Sequence, residues 1–146
     1  MQTLRRFIMP CFLALFMVCA FWSNQPGRAE SVEVKTYPDG HRYEGTLKNG
    51  IPEGEGVMIY PTGVQYKREF KNGKLEGKGI MTTSQGYRYE GEFKNSVPNG
   101  KGVMKYPGGR RFEGEFKNGV PDGKGVFISP DGSRLEKTFN NGKTVN

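Results

Sequence analysis

The sequence predicts an all-β fold, a single-layer antiparallel β-hairpin repeat solenoid, and three observations carry that prediction. The first is a 23-residue period. Tyr43, Tyr66, Tyr89, Phe112 and Leu135 recur at that interval, as do Gly40, Gly63, Gly86, Gly109 and Gly132. A fixed period of this length marks one supersecondary unit copied in series, each copy too small to bury its apolar face without its neighbours. The second is alternation inside each copy. In Tyr89-Glu90-Gly91-Glu92-Phe93-Lys94 the rings and Gly91 share one face by period two, and the charged residues share the other. The third is punctuation. Of the 22 glycines and nine prolines, 21 and seven fall in residues 37–146, at every joint of the pattern, and exclude helix from the array.

Taken in order, the chain opens on a different object. Arg5 and Arg6 precede an apolar run from Phe7 to Trp22, and a short polar stretch follows up to Arg28. That order is a secretory signal peptide over residues 1–29. Cleavage is expected after Ala29, with Gly27 as the other small residue; Ala20, with Val18 before it, is a weaker site. The apolar run of about 16 residues is short of the ~20 a spanning helix needs. An uncleaved membrane anchor is therefore the second reading. Lipid attachment at Cys19 is the third, because the bulky Val18 precedes it. The expected location is the periplasm or the cell exterior.

Export changes the composition. Cys11 and Cys19, the only cysteines, leave with the signal, which removes any disulfide framework, thiol nucleophile or cysteine metal site. Three of the 22 basic residues leave too, and none of the 15 acids, so the net charge falls from +7 to +4. A charge so mild on an exported chain argues against nucleic acid as a partner.

Residues 30–36 read as a short lead-in and residues 37–146 as the array, four full units and a C-terminal partial unit. Each unit is a strand, a Lys-Asn-Gly type turn, a second strand such as Gly102 to Tyr106, and a Tyr-Pro-x-Gly type turn. Asn and Gly accept positive φ, and Pro presets a turn. Glycines inside strands need a reason, since they weaken a strand. Gly45, Gly91 and Gly114, with the pairs Gly54/Gly56, Gly77/Gly79, Gly100/Gly102 and Gly123/Gly125, are expected to leave slots in which neighbouring rings lie flat. The last unit, Leu135-Glu136-Lys137-Thr138-Phe139, is degenerate, as a terminal cap should be.

The pattern resembles the MORN (membrane occupation and recognition nexus) repeat. The likeness rests on Tyr43-Glu44-Gly45, Tyr89-Glu90-Gly91-Glu92-Phe93-Lys94-Asn95 and Phe112-Glu113-Gly114-Glu115-Phe116-Lys117-Asn118-Gly119, with the Gly-x-Gly and Tyr-Pro-x-Gly segments after them. It covers residues 37 to 146. The resemblance implies a β-hairpin solenoid that binds proteins or membrane lipids, often beside an enzyme domain; no such domain is left over here. The second unit departs from the pattern. It reads Tyr66-Lys67-Arg68-Glu69-Phe70, with Lys67 for an acid and Arg68 for the slot glycine, and it ends Thr83-Ser84-Gln85-Gly86.

No catalytic constellation emerges. His41, the single histidine, reads as a solvated turn residue. Repeat-equivalent glutamates share one environment, whereas an acid–base pair needs two. The Gly-x-Gly segments precede no helix N-terminus that would hold a phosphate. No cofactor and no metal are expected. Two surfaces remain. The first is an aromatic–glycine groove for a protein partner, formed by Tyr43, Tyr66, Arg68, Phe70, Tyr89, Phe93, Phe112 and Phe116, unless the rings cover one another. Arg68 shares the face of Tyr66 and Phe70 by period two, so Arg68→Gly should leave the fold intact or strengthen it. The second is a pair of lysine rows, Lys48, Lys71, Lys94 and Lys117, and Lys78, Lys101 and Lys124. These would meet anionic lipid headgroups, or would serve to keep sheet edges soluble. The chain is therefore expected to be an exported, non-enzymatic binding or scaffold module for a protein partner. Peripheral membrane binding is the alternative, and pairing of two arrays stays open.

Overall fold

The computed structural model describes residues 31–145; the expected leader, with its cleavage site and both cysteines, lies outside the described residues. Eleven strands follow one another: β1 (Glu33–Thr36), β2 (Arg42–Lys48), β3 (Ile51–Ile59), β4 (Gln65–Lys71), β5 (Lys74–Thr82), β6 (Arg88–Lys94), β7 (Val97–Lys105), β8 (Arg111–Lys117), β9 (Val120–Ile128), β10 (Arg134–Asn140) and β11 (Lys143–Val145). They form one open antiparallel sheet whose strand order is the chain order. The all-β hairpin repeat read from the sequence is the fold. The lead-in contributes β1, which pairs with β2 from Glu33↔Gly45 to Thr36↔Arg42.

Two kinds of turn alternate along the two long edges. At one edge lie two-residue turns, Asn49-Gly50, Asn72-Gly73, Asn95-Ser96, Asn118-Gly119 and Asn141-Gly142, with both residues at positive φ. That is the turn whose twist matches a hairpin, and asparagine is the non-glycine residue that tolerates it best. The last four are tied to the unit before them. The amides of Gly73, Ser96, Gly119 and Gly142 donate to the carbonyls of Pro52, Leu75, Pro98 and Pro121 at 2.8–2.9 Å. The amides of Asn72, Asn95 and Asn141 donate to the carboxylates of Glu53, Glu76 and Asp122. At the other edge three-residue loops close through amides such as Gly63 donating to the Tyr60 carbonyl at 2.9 Å.

The second strand of each unit begins earlier than its alternation suggests. β7 starts at Val97, and the register slips between Gly91 and Phe93 of β6 and their partners Gly102 and Pro98. The same slip recurs in β2/β3, β4/β5 and β8/β9. These are bulges, and they correct one expectation. Gly54, Gly77, Gly100 and Gly123 sit in them at φ from 68° to 113°. They supply a backbone conformation rather than a slot for a ring.

Candidate functional site

One face of the sheet, here the inner face, carries the rings. Cross-strand pairing lines up Tyr43, Met58, Tyr66, Met81, Tyr89, Met104, Phe112, Phe127 and Leu135 in a row. The adjacent row is Gly45, Gly56, Arg68, Gly79, Gly91, Gly102, Gly114 and Gly125. A Cβ built on Gly56 or Gly102 would fall within 2.5 Å of the Tyr43 or Tyr89 ring, and one on Gly125 within 2.4 Å of Phe112. The rings thus lie in the glycine slots. Phe70, Phe93, Phe116 and Phe139 close over them edge to face, with Tyr89–Phe116 centroids at 4.8 Å and Tyr89–Phe93 at 5.1 Å. Each such pair adds about 0.5–1.5 kcal/mol beyond burial.

The consequence corrects the groove read from the sequence. Tyr43, Tyr89 and Phe112 are 0% exposed, and Phe70, Phe93 and Phe116 are at most 4% exposed. These six side chains are the protein's own core, because the slots bring them close enough to cover one another. Of the aromatic candidates only Tyr66 keeps an open side. What remains accessible on this face includes a strip of half-buried Tyr60, Tyr66, Met81, Met104, Tyr106 and Phe127, with Tyr87 at 37% and Leu135 at 52% more open. Alternation alone marks which face a residue takes; it does not separate the ring that fills a slot from the methionine beside it.

Burial also sets the acidity of the phenols. The Tyr43 and Tyr89 hydroxyls donate to the carbonyls of Thr46 and Glu92 at 3.1 Å. Burial, helped for Tyr89 by the Glu92 charge, pushes both up to about 12 from 10.0. The fold favours the neutral phenol, so this stability is fully present below pH 10.0 and is lost as pH rises towards about 12. Tyrosinate absorbance on alkaline titration should therefore show two of the seven tyrosines ionising last, together with loss of the sheet. Uniform ionisation near the ordinary value with the sheet intact would contradict this packing.

His41 is not the solvated turn residue expected. Its imidazole is stacked between Tyr37, at 4.0 Å between centroids, and Tyr60, at 5.3 Å. Its Nδ1 faces the Asp39 carboxylate. Tyr37 and Tyr60 each open a Tyr-Pro-x-Gly loop, and the stack ties the first loop to the second.

The second unit is rebuilt. Arg68 has φ 113°, well outside the left-handed helical region used by the turn asparagines at 48–52°. A side chain there is strained by about 1–3 kcal/mol. With a side chain at position 68, the Tyr66 ring does not enter the slot. Leu75, at the position held by Pro52, Pro98 and Pro121 in other units, is 0% exposed and fills it; its Cδ2 is 2.7 Å from a Cβ built on Gly79. Unlike proline, Leu75 has an amide, and this donates to the Ser96 hydroxyl at 2.9 Å. Ser96 stands where the other turns have glycine. Arg68, Leu75 and Ser96 are thus one compensated set.

The outer face carries the charge. Arg42, Arg88 and Arg111 pair with Glu44, Glu90 and Glu113 two residues on. Lys48, Lys71, Lys94 and Lys117 end β2, β4, β6 and β8 at the two-residue-turn edge, and all are exposed. Exposed Ile51, Val97 and Val120 sit opposite three of them. Lys78 and Lys101 lie opposite Glu92 and Glu115, and Lys124 opposite Thr138, so acids interrupt the second row. Arg68 is also found here. It lines a recess with Lys78, Glu90, Glu92 and Lys101, so its positive φ has turned it away from the face of Tyr66 and Phe70.

A sequence model of the MORN repeat matches residues 43–65, 69–86, 89–109 and 112–134, more than half of the chain. Three matches begin at a slot-filling ring, whereas the second begins at Glu69, beyond Tyr66-Lys67-Arg68. No curated protein matches the chain. The chain belongs to the MORN repeat family, whose repeats generally act as binding or scaffold modules, often at membranes, and are typically not enzymes.

Proposed function

We propose that this is an exported, non-enzymatic scaffold that holds a protein partner on the inner face. One observation carries the reading: the strip of Tyr66, Met81, Met104, Tyr106 and Phe127 stays partly open beside a core that covers itself. Tyrosine and methionine suit such a contact, since both bury large area and methionine adapts its shape. A pull-down with the purified chain should retain a partner that Met104→Glu loses while circular dichroism shows its sheet still folded. Equal capture by both would overturn the inner-face reading.

A second reading has its own observation. Lysines and exposed aliphatic residues alternate at the two-residue-turn edge, the composition that a bilayer surface attracts. Flotation with anionic vesicles, lost on Lys94→Glu/Lys117→Glu, would favour it. Export rests on Arg5, Arg6 and the Phe7–Trp22 run. N-terminal sequencing of the exported protein should begin at Glu30, and an intact Met1 would replace the cleaved signal by an anchor.

A further inference from the structure

The second unit departs from its siblings at neighbouring points, and their effects converge on the outer face. Lys67 replaces the glutamate that occupies this position in the other units, between Val57 and Ile80. Arg68 replaces a glycine and is turned outward by its φ of 113°. Leu75 fills the slot beside Gly79, and the Ser96 hydroxyl accepts from the amide that Leu75 brings in place of proline. A strained residue whose surroundings have been adjusted to keep it points to use of the side chain it presents.

That side chain opens onto the recess lined by Arg68, Lys78, Lys101, Glu90 and Glu92, with Gly79 and Gly91 as its floor. Glu90 is held by Arg88 at 2.9 Å. Among the described residues, no ion pair engages Arg68, Lys78 or Lys101. Three cations therefore share the lining with one uncommitted carboxylate, Glu92, while Glu115, opposite Lys101, stands outside the lining. Lys67 adds a fourth cation on the same face, and half-buried Ile80 and Val103 flank Glu90 in its row.

We infer that this recess is a carboxylate-binding site that seats an acidic segment of a protein partner. An arginine fork takes a carboxylate through two parallel hydrogen bonds, and the lysines supply charge without fixing direction. Glu92 opposes a dianionic phosphate more strongly than a single carboxylate. Ile80 and Val103 give a peptide apolar contact that a headgroup would not use. The site lies on the face opposite the inner strip and stands or falls independently of it.

Fluorescence anisotropy of a labelled poly-glutamate peptide, with its poly-glutamine counterpart as control, tests this on the purified protein. Lys67→Glu/Arg68→Gly installs the residues of the neighbouring units and should fold. The protein should bind the glutamate peptide alone, more weakly as salt rises. The double variant should lose about tenfold or more in affinity, whereas Lys48→Ala/Lys117→Ala should bind as before. Equal binding by the folded double variant, equal binding of the two peptides, or no binding of the glutamate peptide would overturn the inference. So would anionic vesicles being the ligand that the double variant loses.

Discussion

Gly91→Ala should lower the stability of the array by about 3 kcal/mol, the upper range of overpacking. A Cβ at this position would lie 2.5 Å from the Gly102 Cα, 2.6 Å from the Lys101 carbonyl oxygen and 2.6 Å from the Tyr89 hydroxyl. Two of these are backbone atoms of the paired strand. They cannot retreat without opening the Gly91↔Gly102 register. Alanine would otherwise be an improvement of roughly 0.5–1 kcal/mol, because it restricts the unfolded chain. The overlap wins, and the melting temperature should fall by about 10–15 °C. Gly114→Val should act in the same direction, against Phe112 Cζ at 2.7 Å and Gly125 Cα at 3.0 Å. A thermal melt read by circular dichroism decides. An unchanged or raised midpoint would show that these glycines are not packing slots.

Leu75→Ala should cost about as much, roughly 3 kcal/mol, through the cavity left beneath Gly79. The informative result is its coupling to Arg68. Arg68→Gly alone should stabilise the fold by about 1–2 kcal/mol, since glycine adopts φ 113° freely. It also reopens the slot that the Tyr43 and Tyr89 rings use in their own units. With Leu75 shortened as well, the Tyr66 ring has a place to go. The double variant should therefore lose less than the sum of its parts, by about 1 kcal/mol. A strictly additive cycle in denaturant unfolding would mean that Leu75 and Arg68 are unrelated substitutions.

The hairpin repeat was legible because period, alternation and turn chemistry all agree at Tyr89–Gly109. What escaped were features to which the sequence gives one symbol for two jobs. Gly100 and Gly102 look alike, yet one holds a bulge at φ 113° and the other makes room for the Tyr89 ring. Counting by two therefore fails across the bulge, and the register that sets Lys78 against Glu92 cannot be counted either. The same cause misplaced Arg68. Period two assigns it to the ring face, and only its backbone angle sends it to the other. Six of the seven aromatic candidates were right as to face and wrong as to exposure, because the packing that the slots permit also buries them; Tyr66, which has no slot, stays partly open.

Each strand pairs only with the strands immediately before and after it. Even the links between successive turns, such as Gly73 to Pro52, span a single unit. The mean distance along the chain between touching residues is thus set by the length of one unit and not by the number of units. All-β domains are ordinarily slow to fold because their pairings are remote. This sheet has no remote pairing to wait for. A chain that adds another copy becomes longer without becoming slower, and each hairpin finds its template already in place when it arrives.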